Sequence, residues 1–203
     1  MPLFILLPMA LVILLGFLAV LVVVSVVGVY NTLVTLRNQF RNGFAQVDVQ
    51  LKRRHDLIPN LVETAKGYMA HERGTLEAVI NARAKATQAN VQLAGNPNDP
   101  NAIRNVMQAE SGLSGALSRL MVVAENYPQL KADVTMKQLM DELASTENRI
   151  AFARQGYNDG VLQYNNAREV FPNVFVANIF GFAAAEFFKI ETEAERIAPK
   201  VSF

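Results

Sequence analysis

The first 36 residues carry no charged side chain, and from Pro2 to Val29 nearly every position is aliphatic, aromatic, Ala or Gly. Fifteen of the residues from Leu11 to Val29 are Leu, Ile, Val or Phe, each favouring a bilayer centre by roughly 0.3 to 0.6 kcal/mol. About twenty apolar residues are enough to span. This stretch therefore reads as a transmembrane anchor over residues 1–29. Pro8 suits the first turn of its helix, where a missing N–H breaks no bond, and Pro8 to Val29 would measure about 33 Å. A cleaved secretory signal would need a basic leader and a shorter apolar core; neither is present, so the anchor is expected to be retained. Arg37 and Arg41, followed by Lys52, Arg53 and Arg54, lie after the span and no side-chain charge lies before it. The positive-inside rule then places the N-terminus outside and the rest of the chain in the cytoplasm.

With 19 basic and 18 acidic residues the net charge is +1. There is no basic field of the kind nucleic acid requires. Cysteine is absent, which removes disulfides, thiolate nucleophiles and Cys-ligated metal.

Beyond Tyr30 the pattern is helical. Leu33, Leu36, Phe40, Phe44, Val47, Leu51, Ile58, Val62, Ala65 and Met69 follow steps of three and four, with one seam position held by His55. Nothing interrupts the step from Val29 to Leu33, so the membrane helix is expected to run straight into the amphipathic one. Pro59 removes the hydrogen bond to the His55 carbonyl and predicts a kink rather than a stop. At His71 to Thr75 a helix exchange is expected, with Gly74 as a left-handed cap and Thr75 as the next N-cap. A second helix to about Leu93 precedes the loop Gly95 to Pro100, where Asp99 and Pro100 form a cap and first-turn pair. The third carries Ile103, Val106, Leu113, Leu117, Leu120 and Ala124, and Asn126-Tyr127-Pro128 ends it. The last, capped by Asp133, runs through Ile150, Tyr157, Val161 and Tyr164 and stops before Phe171-Pro172. Two long outer and two shorter helices close as an antiparallel up-down four-helix bundle over residues 30–170, in an all-α chain. Residues 171–203 form an aromatic-rich C-terminal segment holding seven of the twelve phenylalanines; packing on the open bundle end competes there with contact to lipid or a neighbouring subunit.

Val47-Asp48-Val49-Gln50-Leu51-Lys52-Arg53-Arg54-His55-Asp56-Leu57-Ile58-Pro59-Asn60-Leu61-Val62, then Lys66-Gly67-Tyr68 and His71-Glu72, resemble the signature of the LemA family. A second block agrees: Glu125-Asn126-Tyr127-Pro128, Thr146 to Ala151, Tyr157-Asn158, Tyr164-Asn165 and Phe171-Pro172. The resemblance implies a bacterial membrane-anchored helical-bundle protein with no established catalytic activity, and from the residues no cofactor or metal is expected.

The residues themselves offer little chemistry. His55 and His71 lie sixteen residues apart, about 24 Å on one helix, and cannot share an ion without a chain reversal. His71-Glu72 lacks the second histidine of a zincin, since residue 75 is Thr. A hydrolase completed across subunits from His55 or His71 with Glu147 is the remaining enzymatic option.

Candidate interaction residues fall in three groups. Lys52, Arg53, Arg54, His55 and Asp56 point all around their helix, so part of the set must face a packed side: helix-surface ion pairs or a partner contact. Tyr157-Asn158 and Tyr164-Asn165 repeat at seven residues and share one helix face, which points to helix register or a small polar pocket. Phe171, Phe180, Phe182, Phe187 and Phe188 supply the aromatic surface. The function expected from these features is a non-enzymatic scaffold, adaptor or membrane organiser acting through membrane lipid, homo-oligomer contacts and other membrane proteins, at the bacterial cytoplasmic (inner) membrane. A ligand-sensing bundle is the alternative.

Overall fold

The computed structural model describes residues 3–95 and 99–188; the side chains of residues 3–8 and 10 are outside the description. The loop residues 96–98, Phe203 and the rest of the expected C-terminal segment beyond Phe188 therefore lie outside the described residues.

All described secondary structure is helical. α1 runs unbroken from Leu3 to Lys66, 64 residues or about 96 Å. The apolar run and the amphipathic pattern are thus one rod, and Pro59 sits within it. From Leu11 to Val24 the large side chains stand in the open, and this helix alone among those described is long and apolar enough to cross a membrane.

α1 turns at Gly67-Tyr68, where the amides of Tyr68 and Met69 both donate to the Ala65 carbonyl. α2 (Arg73–Gly95) then begins three residues earlier than an N-cap at Thr75 would have placed it. Gly74 falls inside its first turn and has ordinary helical φ, so the left-handed cap expected there is absent. That geometry appears instead at Gly181, with φ 68°.

α3 (Pro100–Ala124) is capped by Asp99, which accepts from the Asn101 amide at 2.9 Å. A short helix absent from the sequence reading, α4 (Pro128–Ala132), precedes α5 (Val134–Glu169). Asp133 caps α5 by accepting from the Met136 amide at 2.8 Å. α6 (Asn173–Ile179) was likewise not foreseen.

The residues that share each core layer show the antiparallel order. Far from the apolar run, Ile58 to Met69 meet Leu76 and Val79 of α2, Leu117 to Ala124 of α3, and Met136 and Leu143 of α5. Closer in, Val47 and Leu51 meet Ala89 and Leu93, Ala102 to Val106, and Ile150 and Tyr157. Residue numbers rise on α1 and α3 as they fall on α2 and α5. The α1–α5 pair is the closest. A Cβ on Gly43 would lie 3.2 Å from the Tyr157 Cα, and one on Gly160 3.2 Å from the Phe40 Cα. Each step along α1 is matched by one step back along α5, so Val170, just past the end of α5, falls level with Tyr30.

Candidate functional site

Polar side chains occupy the bundle interior at one level, and all four long helices contribute. Arg54 is fully buried on α1. Its guanidinium pairs through Nη2 with Glu110 of α3, and through Nη1 with Glu147 of α5 at 2.7 Å and with Ser114 of α3 at 3.1 Å. Glu110 is itself fully buried. Its second oxygen accepts from His55 Nε2 at 2.9 Å and from Asn90 Nδ2 of α2 at 3.2 Å. Burial pushes the Glu110 carboxyl up, but the His55 hydrogen bond and the charges of Arg54 and His55 outweigh it and hold it below the usual carboxylate range. An ionised Glu110 can only accept, so Nε2 of His55 carries the proton; Nδ1 stands 3.4 Å from the Thr87 hydroxyl. Arg83 of α2 completes the set by donating through Nε to the His55 carbonyl oxygen at 2.6 Å.

The expected interaction cluster at 52–56 is therefore divided. Lys52, Arg53 and Asp56 face solvent, while Arg54 and His55 are taken up inside their own chain and present no surface to a partner. The pairing of His55 with Glu147 needed for a hydrolase is not formed within the chain, since His55 turns to Glu110 and Glu147 to Arg54. His71 lies exposed in the turn after α1. Among the described residues no group of three or more His, Asp or Glu is placed to hold a metal ion.

The tyrosines of the tyrosine–asparagine repeat of α5 pack on Phe40 and Phe44 of α1, and the repeat has a further partner. It binds the chain's own extended segment 182–188. Asn158 donates to the Phe188 carbonyl at 3.1 Å and accepts from the Phe188 amide at 2.7 Å. Asn165 does the same with Ala185, at 2.9 Å in both directions. The hydroxyls of Tyr157 and Tyr164 donate to the carbonyls of Glu186 and Ala183, each at 2.8 Å, and Arg168 Nε donates to the Phe182 carbonyl at 2.9 Å. The spacing follows from geometry: seven helical residues advance about 10.5 Å, and three extended residues about 10 Å. Each asparagine amide thus replaces a neighbouring strand for one residue of the strap. Burial raises the pKa of both tyrosines, so they remain donors.

The phenylalanines divide as well. Phe188 and Phe182 are buried and Phe187 is half-buried. Phe188 packs edge-on to Tyr157 at 6.4 Å, and Phe182 edge-on to Tyr30 at 5.5 Å. Phe171 and Phe180 stay exposed.

An apolar helix continuous with a bundle whose core is pinned by one buried ion network and one strap defines a membrane-associated helical-bundle protein. The chain belongs to the LemA family, whose profile matches residues 43–203. It is similar to magnetosome protein MamQ 1 of Paramagnetospirillum magneticum, 29% identical over 178 residues, covering 79% of this chain and 64% of that protein. It is also similar to magnetosome protein MamQ of Magnetospirillum gryphiswaldense, 28% identical over 177 residues, covering 78% and 64%. Protein LemA of Metamycoplasma hominis is 22% identical over 177 residues, covering 84% of this chain and 76% of its own length. The chain thus spans about 64% of the MamQ proteins it matches.

Proposed function

We propose that this protein is a single-pass membrane scaffold, non-enzymatic, that holds a rigid helical bundle at the bacterial inner membrane and acts through contacts with further copies and with other membrane proteins. The observation that carries this reading is α1: one helix supplies both the apolar span and a wall of the bundle, ending only at Lys66. A hinge between anchor and domain would let the bundle diffuse about its tether. A continuous rod paired along α5 removes that hinge and carries the direction of the span into the bundle. Arg37 and Arg41, on the side of the span away from the N-terminus, favour a cytoplasmic bundle. The relatives named as magnetosome proteins support a role in an assembled structure.

The test is chemical cross-linking and sizing of the full-length chain in mild detergent, together with labelling of single cysteines placed in this cysteine-free sequence. A discrete homo-oligomer is expected, with an Asp141→Cys thiol reached only from the cytoplasmic side. A monomer at every concentration would remove the oligomeric part of the proposal, and labelling from outside would reverse the orientation.

A further inference from the structure

The end of the bundle nearest the apolar run carries an aromatic face that stands largely open among the described residues. Phe171 is 80% exposed, Phe175 60%, Ile179 77% and Phe180 52%. Phe171, Phe175 and Ile179 repeat every fourth residue, the first of them just ahead of α6, and the Phe171 and Phe175 rings meet edge-on at 5.9 Å. The opposite side of α6, Val176 and Ala177, is buried, and Ala177 packs in a cluster with Leu33, Tyr164 and Phe182. From Val170 to Ala185 no residue is charged. In an aqueous setting so much contiguous aromatic surface is a liability.

Its position says what covers it. The α1–α5 register puts Val170 level with Tyr30, where the open apolar side chains of the span give way to the packed bundle. Tyr30 meets Phe180 at 5.0 Å between ring centroids, so α6 is fixed beside the point at which α1 leaves the apolar zone. Just beyond, the Arg37 guanidinium lies 5.1 Å from the centre of the Phe182 ring, about 10 Å along α1 from Tyr30. Aromatic side chains at the boundary with basic groups immediately outside it are the order of groups found at a membrane–water interface.

We propose that α6 is a second membrane contact, an interfacial foot that sinks Phe171, Phe175 and Ile179 into the headgroup boundary of the leaflet α1 leaves. This rests on the membrane-anchor reading of α1. Two points of lipid contact, one spanning and one lying in the interface, hold the bundle against tilt and rotation about the α1 axis in a way that a single helix does not.

The chain contains no tryptophan, so single reporters can be read without background. Full-length Phe175→Trp, Val22→Trp and Phe152→Trp proteins are reconstituted into phosphatidylethanolamine–phosphatidylglycerol vesicles, with or without lipid brominated high on the acyl chain. Phe152 is 80% exposed on α5, far along the bundle from Tyr30, and serves as the aqueous control. Phe175→Trp should lose emission to brominated lipid and resist aqueous iodide, while Phe152→Trp does the reverse. If Phe175→Trp is quenched by iodide while Val22→Trp is quenched by lipid, the foot is refuted and the anchor stands. Shielding of Phe175→Trp from both quenchers would assign the face to a protein partner and equally refute it. A Val22→Trp reporter untouched by lipid would overturn the anchor itself, and the foot with it.

Discussion

Arg83 reaches across from α2 to donate to the carbonyl oxygen of His55, the acceptor that Pro59 deprives of its helical N–H. Proline in mid-helix and arginine on the neighbouring helix are thus one device. The imino acid frees a carbonyl in the bundle interior, and a cation fills it. The two residues should be energetically coupled. Arg83→Met in the native background is expected to lower stability by about 1.5 to 3 kcal/mol, the range for a hydrogen bond to a charged group. In a Pro59→Ala background, where residue 59 again donates to His55, the same substitution should cost well under half as much. Denaturant melts of the four proteins in detergent close the cycle, and equal costs in the two backgrounds would dissolve the pairing.

Arg54 and Glu110 form the second coupled pair. Removing one partner strands a buried charge, which costs about 3 to 5 kcal/mol, so Arg54→Met should destabilise the bundle by an amount of that order. Replacing both, as Arg54→Met with Glu110→Leu, removes the stranded charge and should recover most of the loss. His55 and Asn90 lose an acceptor in that variant, so recovery will be incomplete. Far-UV circular dichroism melts of the single and double variants supply the comparison.

The same carboxylate makes the fold acid-sensitive. Its pKa is lowered on folding, so its stabilising contribution is complete above the unfolded carboxylate pKa of about 4.3. That contribution drains away as pH falls through the lower folded value. Asp133 is lowered too, chiefly by the Met136 amide it caps, and acts in the same direction. Stability should therefore be flat from neutral pH to about pH 5 as far as these groups are concerned and fall below it. Glu110→Gln should be less stable at neutral pH and show a shallower fall in acid. Parallel acid titrations of the two proteins, followed by thermal midpoint, would expose an unchanged slope.

Close backbone approach yields a prediction against helix propensity. Glycine to alanine inside an exposed helix gains about 1 kcal/mol, yet at Gly160 the new methyl would stand 3.2 Å from both Cα and Cβ of Phe40, and at Gly43 3.2 Å from the Tyr157 Cα. Neither neighbour can swing away, because each is part of a helix backbone. Gly43→Ala and Gly160→Ala should therefore forfeit the propensity gain and destabilise, while Gly156→Ala, whose methyl would meet nothing within 4 Å, should be neutral or stabilising. Thermal midpoints of the three variants give the order directly.

The sites of these effects were legible in the sequence to unequal degrees. The continuity of α1, the Asp99 and Asp133 caps and the stop before Phe171 all follow from local chemistry, and each is found. The polar layer leaves a fainter trace. In α3 the apolar steps from Val106 to Leu113 skip a position, and Glu110 fills it; His55 fills the matching gap in α1, and Arg83 the one between Val79 and Ala86 in α2. A gap marks where a polar residue sits, but which gaps share a level depends on helix register, which no single helix encodes. The Tyr-Asn repeat was visible for the same reason, while its partner was not. Ala183 to Phe188 has no periodicity, because an extended strap held through its backbone makes little demand on its side chains. Gly74 misled because a glycine after polar residues looks like a helix end, whereas the chain had already turned at Gly67.

The strap offers the most local test. Asn165 both donates to and accepts from Ala185, and Asn158 treats Phe188 alike, so each amide side chain protects one backbone N–H from exchange. Asn165→Ala should release the Ala185 amide to fast hydrogen exchange and leave a carbonyl unpaired; the loss is of order 1 to 3 kcal/mol. Asn165→Asp separates the two bonds. It keeps an acceptor for the Ala185 N–H but sets a carboxylate oxygen against the Ala185 carbonyl, so the strap should loosen at neutral pH and tighten again in mild acid, where a protonated carboxyl can donate. Exchange measured at Ala185 and Phe188 in both variants distinguishes a ladder of independent rungs from a strap that lifts as one piece. With Tyr157, Tyr164 and Arg168 each holding a separate carbonyl, the expected result is local. Asn165→Ala should raise exchange at Ala185 far more than at Phe188, and Asn158→Ala the converse. Equal acceleration at both amides from either substitution would show that 182–188 detaches cooperatively, and the matched pitch of helix and strap would then be acting as a single latch.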